Sequence, residues 1–237
     1  MGGLCSKQIS QGAQRILAEG VGSFILCFAI LLSSETDATN APTFYAAGFT
    51  LASLAYGLEH IGGHFNPAVS LGAFLQGQMS VLMLLAVILS QTVGGSLGGV
   101  LGNVLRATPI PSYNPPDLGK AFIVEAIFSG GLVLVSQSVG LFKNSQNPNS
   151  FFGVSLGFFL SAGVSSVSVI SGGAFNPIVG MAVDFATLPQ DPKTFQDLWL
   201  YFLAPFTGSI IASIFSRAVS GTSLWTSSLF SPIFVQL

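Results

Sequence analysis

The phrase GGHFNPAV at residues 62–69 returns as GGAFNPIV at residues 172–179, with six of its eight letters unchanged. This duplication constrains the fold more than any other feature, because each copy carries its own local instructions. Asn is among the best N-cap residues and Pro is favoured at the first helical position, so Asn66-Pro67 and Asn176-Pro177 each start a helix. The apolar stretches that follow, NPAVSLGAF and NPIVGMAVDF, are about half of the roughly 20 residues that a membrane crossing needs. Neither crosses alone. At about 1.5 Å per residue, two such helices placed end to end fill a hydrocarbon core of about 30 Å.

The rest of the chain requires that core. Half of the 237 residues are hydrophobic and only 7% are charged, against roughly a quarter charged in a soluble domain. Six apolar windows reach or approach spanning length: 14–33, 43–59, 80–105, 120–141, 151–170 and 198–219, of which 43–59 is the shortest. They are continuous rather than alternating, which excludes a β-barrel. Lys and Arg total seven and form no cluster, which excludes nucleic-acid binding. Cys5 and Cys27 form no disulfide framework, and the first apolar window is too long for a cleavable signal. The start, MGGLCSK, fits N-myristoylation at Gly2 with a palmitoyl chain on Cys5, the alternative being an unmodified polar tail. With both termini cytoplasmic, Lys7, Arg15, Lys143 and Arg217 fall inside and Arg106, Lys120 and Lys193 outside, a weak positive-inside bias.

The whole chain, 1–237, reads as a single unit. A cytoplasmic tail (1–13) leads into a first repeat (14–105), a proline-rich connecting loop (106–119), a second repeat (120–219) and a C-terminal tail (220–237). Each repeat holds a span with an internal acid (Glu19 in LAEGVGSF, Glu125 in IVEAIFSG), a second span, the Asn-Pro phrase and a third span. Three spans per repeat start the second from the opposite face, so the repeats are inverted about an axis in the membrane plane. That symmetry sets the N-termini of the half-helices face to face at the midplane. The expected class is therefore all-α integral membrane, with six transmembrane helices and two re-entrant half-helices.

Irregular backbone inside a membrane is tolerated only where it is buried in protein or lines a water-filled cavity, so the glycine-led entries imply a polar path. Two helix N-termini, each roughly half a positive charge, oppose a cation where they meet. The capping Asn side chains can use their carbonyl on the helix start and turn their NH2 into the lumen. Glu19 and Glu125 are either proton relays or acceptors for loop N–H groups, and one carboxyl per repeat favours the acceptor reading. His60 and His64 flank a glycine pair that breaks any shared helix, so no metal is expected. His64 reads as a lumen-wall residue or an ordinary buried histidine, and Asp184 as a lumen or packing residue. Gly94, Gly95, Gly98, Gly99 and Gly102 have the spacing of close helix packing. No catalytic motif and no cofactor signature occur, so no catalytic residue is assigned.

Paired Asn-Pro boxes, one glutamate in the first span of each half and the string HIGGHFNPAV together resemble the aquaporin (major intrinsic protein) family over nearly the whole chain. The resemblance implies a homotetramer in lipid with one pore per protomer, carrying water and small neutral solutes. It makes Asn66, Pro67, Ala68, Asn176, Pro177 and Ile178 the central constriction. It makes the carbonyls of Gly62, Gly63, His64, Gly172, Gly173 and Ala174 a ladder for water. The narrow-filter positions fall at Ala47, Val164, Gly173 and Val179.

The departures lie in the second box, which ends in Ile178 instead of Ala, and in Val179, which stands where the family usually has Arg. Loss of that charge and bulk predicts a wider, apolar filter that passes glycerol, urea or ammonia, unless Arg106 or Lys193 fills the gap. Two other functions compete. A secondary transporter also uses broken helices at inverted repeats, and a non-conducting structural protein would be plugged by Phe65, Phe175 or another of the 21 phenylalanines.

Overall fold

The computed structural model describes residues 10–34, 41–58, 60–106, 108, 110, 112–143, 151–189 and 194–220. Gly2, Cys5, Lys193, most of the two expected tails and the side chain of Lys143 lie outside the described residues. The described residues form eight α-helices and no strand. In chain order these are α1 (Gln11–Ser33), α2 (Ala41–Leu58), α3 (Pro67–Leu75), α4 (Val81–Val104), α5 (Leu118–Lys143), α6 (Phe152–Ser171), α7 (Pro177–Thr187) and α8 (Leu198–Ser220).

Local chemistry sets the ends. α1 begins three residues before the apolar window starts, because the Ser10 hydroxyl accepts a hydrogen bond from the Ala13 N–H at 3.3 Å. Ser80 starts α4 in the same way, accepting from the Met83 N–H at 3.3 Å. Asp117 starts α5 two residues early, accepting from the Lys120 N–H at 3.0 Å. The half-helices start as their capping residues require: Asn66 Oδ1 accepts from the Ala68 N–H at 2.9 Å and Asn176 Oδ1 from the Ile178 N–H at 3.0 Å.

Among the described residues, five helices are long and apolar enough to cross a membrane: Gln11–Ser33, Val81–Val104, Phe152–Ser171, the Leu118–Ser138 part of α5, and α8 with the short 3-10 turn before it, Phe195–Ser220. The sixth long helix, α2, has 18 residues and contains Pro42, Thr43, Tyr45, Thr50 and Ser53, which lower its hydropathy. It reaches the bundle through packing: Gly48 on α2 and Gly157 on α6 approach so closely that a Cβ on either would meet the other's carbonyl oxygen, at 2.5 and 2.3 Å.

Exchanging the two repeats maps the packing onto itself. The pair α1–α4 corresponds to α5–α8, α4–α7 to α8–α3, and α2–α6 to itself. Helix α4 shows why its glycines come in adjacent pairs. A Cβ on Gly94 or Gly98 would meet backbone of α1 at 2.0 and 2.1 Å, whereas a Cβ on Gly95 or Gly99 would meet Ile178 and Ala182 of α7 at 2.0 and 2.7 Å. One glycine face thus closes on the outer helix and the other on the half-helix. The core surrounds α3 and α7. Leucines and valines at 50–70% exposure, among them Leu89 at 66% and Val104 at 70%, cover the outside, as a lipid solvent requires.

Candidate functional site

The two half-helices meet N-terminus to N-terminus through reciprocal hydrogen bonds. The Asn66 amide donates to the Phe175 carbonyl at 2.9 Å, and the Asn176 amide donates to the Phe65 carbonyl at 2.8 Å. Each amide therefore does three things: its oxygen caps its own helix, one N–H ties it to the opposite limb, and the second N–H remains available. The expectation that the NH2 group serves only the lumen is corrected to this extent, since half of it holds the limbs together. To present those carbonyls, Phe65 and Phe175 adopt left-handed backbone, with φ of 49° and 48°. Neither residue is glycine, so the geometry is unfavourable locally and is held by the surrounding contacts.

The same two phenylalanines do not plug anything. Phe65 is 0% and Phe175 1% exposed. The Phe65 ring fills the space beside Gly22, and Phe175 packs near Gly163 and against Phe128 at a centroid distance of 5.1 Å.

Each limb hangs on one buried carboxylate. Glu19 accepts from the N–H groups of Gly63 (3.1 Å), His64 (3.0 Å) and Phe65 (2.7 Å), and from the Gln91 amide at 2.9 Å. Glu125 accepts from the N–H groups of Ala174 (3.0 Å) and Phe175 (2.7 Å) and from the Ser171 hydroxyl at 2.6 Å. Ser171 Oγ in turn accepts from the Gly173 N–H at 3.2 Å. Every oxygen of both carboxylates is thus engaged by donors from the re-entrant backbone or its supports.

Beside the first limb, Arg15 Nη2 lies 3.5 Å from His64 Nε2. On the other side of the ring, His64 Nδ1 lies 3.0 Å from Ser70 Oγ. Gln91, which donates to both Glu19 and Ser70 (3.0 Å), completes this cluster. Residue pattern gave Gln91 no signal, although a glutamine in an apolar span is one that could have been read.

A narrow cavity of about 20 Å³ runs past the paired amides. Asn66, Asn176, Ala47, Val164, Gly173 and Val179 all line it, as do His64, Gly172 and Ala174. Gly62 and Gly63 are not on that wall; Gly62 faces Arg15 and Glu19. Ile178 points into the notch left by Gly95 and is 1% exposed, so the larger side chain in the second box does not narrow the cavity. Pro67, Ala68 and Pro177 are buried in the first turns of their helices. Asp184 is buried in α7 at 1% exposure.

Arg106 does not replace the missing filter arginine. Its guanidinium donates to the carbonyls of Leu31, Leu32 and Thr108 at 3.1, 3.0 and 3.0 Å. The side chain that does enter the cavity from the connecting loop is Tyr113, a position for which the loop sequence offers no periodicity or motif.

Comparison with known proteins agrees with this geometry. A family model described as Major intrinsic protein matches residues 6–216. Probable aquaporin NIP7-1 of Arabidopsis thaliana is 29% identical over 215 residues, covering 86% of this chain and 76% of that protein. Glycerol uptake facilitator protein-like 6 of Lactiplantibacillus plantarum is 28% identical over 219 residues, covering 87% and 98% respectively. Among solved structures, the aquaglyceroporin from Plasmodium falciparum superposes with a TM-score of 0.74 at 21% identity, covering 88% of this chain and 97% of that one. At that identity the likeness speaks for the fold.

Proposed function

The chain belongs to the major intrinsic protein family, and within it we propose that Asn66, Asn176 and the apolar quartet Ala47, Val164, Gly173 and Val179 set what passes. It is a multi-pass integral membrane protein and a passive channel for water and small solutes. The observation that carries the residue assignment is the reciprocal amide lock beside a cavity that both amides line.

Two helix N-termini converge there, each with about half a positive charge, so a cation meets an opposing potential. A water between the two remaining amide N–H groups has its oxygen occupied by donors, which interrupts proton relay along a file. Glu19 and Glu125 hold the limbs in register instead of carrying protons. The quartet adds no charge and no donor. It therefore admits uncharged solutes with apolar flanks, with ammonia, urea and glycerol as the candidate class; a relative named as a glycerol uptake facilitator is consistent with that class. The cavity volume of about 20 Å³ holds about one water, since a water needs roughly 10–15 Å³ of such space. Solutes larger than water pass only as the lining side chains give way.

The remaining parts of the reading are a homotetramer in lipid with both termini cytoplasmic, tested by native mass spectrometry and by accessibility of single introduced cysteines, and acylation of Gly2 and Cys5, tested by metabolic labelling.

Stopped-flow light scattering on proteoliposomes tests selectivity. The wild-type chain is expected to pass water and at least one of urea, glycerol or ammonia without any ion gradient. Val179→Arg is expected to lower urea and glycerol permeability relative to water by about tenfold or more, a barrier change of about 1.4 kcal/mol. An unchanged solute profile in that variant removes Val179 from the filter. Uptake that requires an ion gradient makes the protein a transporter, and absence of any flux makes it a structural protein.

A further inference from the structure

Resting on the channel reading above, we propose that Tyr113 of the connecting loop is a specificity-determining residue of this pore. Its ring limits solute cross-section, and its hydroxyl is the side-chain hydrogen-bonding group a solute meets at the apolar constriction.

The central cavity is followed by a second, larger one of about 210 Å³, lined by the connecting loop, the end of α6 and Ser34. Four residues line both cavities and so form the partition between them: Thr43, Tyr113, Val164 and Gly172. Tyr113 is the largest of the four. Val164 and Gly172 have no polar side chain, and Thr43 has committed its proton to the Ser33 carbonyl at 3.1 Å. The Tyr113 hydroxyl makes no hydrogen bond to a described residue, so at the partition it is free to donate to or accept from a passing molecule.

The ring is positioned rather than loose. It lies 5.2 Å, centroid to centroid, from the ring of Tyr201. Tyr201 is itself fixed, because its hydroxyl donates to the Ser171 carbonyl at 2.6 Å and it is 1% exposed. Gly172 gives Tyr113 its seat: a Cβ there would come within 2.5 Å of the Tyr113 ring. Pro115 and Pro116 follow after Asn114 and restrict the loop that carries the tyrosine. The phenol's pKa is raised well above its ordinary value by burial, so the group stays neutral and adds no fixed charge.

A tyrosine in this place changes the recognition problem. An arginine offers a permanent charge and several donors; a phenol offers one neutral group that both donates and accepts. The solutes favoured are slim, uncharged molecules with one hydrogen-bonding edge and one apolar or flat face, as urea and the short polyols have. Selectivity against cations then rests with the half-helix N-termini alone.

The test compares wild type, Tyr113→Phe and Tyr113→Ala in proteoliposomes, measuring water, urea, glycerol and a four-carbon polyol. Tyr113→Ala is expected to raise the permeability of the four-carbon polyol relative to water by about tenfold or more. Tyr113→Phe keeps the ring and its contact with Tyr201, and is expected to retain the size limit while lowering the urea-to-water ratio by about threefold or more. A wild-type size limit in Tyr113→Ala overturns the steric role, and a wild-type urea-to-water ratio in Tyr113→Phe overturns the hydrogen-bonding role. If the alanine variant does not fold, Tyr113→Leu serves the same comparison. Failure of the channel reading looks different, because the wild-type chain itself then passes nothing.

Discussion

The two re-entrant limbs share six letters in eight, yet their backbones enter the protein differently. Gly172 and Gly173 adopt left-handed conformations, with φ of 89° and 72°, while Gly62 and Gly63 do not. The cause lies in what precedes them. α6 runs to Ser171, so its C-terminal turn falls on the glycine pair itself, and the Gly172 N–H closes on the Ser168 carbonyl at 2.9 Å. α2 ends at Leu58, and the turn is made earlier: the N–H groups of Ile61 and Gly62 both close on the Leu58 carbonyl, at 2.9 and 2.8 Å. Three more residues between helix and phrase thus move the reversal off the glycines. Beyond that point the limbs converge again, through matching left-handed phenylalanines, matching Asn caps and one carboxylate each. Identical letters set the helix start, and the neighbouring helix end sets how the chain arrives there.

The largest expected effect tests the shared part of the comparison. Glu19→Ala and Glu125→Ala each strand several buried donors at about 1–3 kcal/mol apiece, so each should cost on the order of 3 kcal/mol or more in thermal or denaturant unfolding of the detergent-solubilised protein. A much smaller loss in one variant alone would show that the limbs are not supported equivalently.

The glycines test the part that differs. Gly172→Ala combines a left-handed φ with overlap on Tyr113, and should cost about 2–3 kcal/mol, as for a non-glycine residue held in sparsely populated backbone. A Cβ on Gly62 would meet Arg15 Cγ and Glu19 Oε1 at 3.2 Å, a contact relieved by a shift of a few tenths of an ångström. Gly62→Ala should therefore cost no more than about 1 kcal/mol. Equal losses in the two variants would mean that backbone conformation does not distinguish the limbs.

The far ends of the half-helices give the smallest effects. Arg217 of α8 donates to the Leu75 carbonyl at the end of α3 at 2.5 Å, and Asn103 of α4 donates to the Ala186 carbonyl at the end of α7 at 2.8 Å. A hydrogen bond from a charged donor contributes about 1.5–3 kcal/mol and a neutral one about 1, so Arg217→Ala should lower stability more than Asn103→Ala in the same unfolding assay. The reverse order would show that the two ends are not held as their reciprocal placement implies.

Much of this protein follows from short-range chemistry. Apolar runs, Ser, Asp and Asn caps and the proline after each Asn set eight helices to within a few residues of the windows read from the chain. The duplicated phrase and the paired glutamates imply two limbs meeting in an inverted repeat. Those features are legible because the partners sit within one helical turn or recur at a fixed place in each repeat.

What the chain alone did not determine depends on contacts between residues 21 or more apart in the sequence. The left-handed backbone at Phe65 and Phe175 exists because each carbonyl must face an amide of the other limb. Ile178 is accommodated because Gly95 of a distant helix leaves a notch for it. Gln91 joins Glu19 to Ser70, and Tyr113 reaches the cavity from a loop with no periodicity. Hydrogen bonds and van der Waals fits of this kind act only over a few ångströms. No local pattern encodes which remote side chain will occupy that distance, so the packed bundle, not the order of residues, decided them.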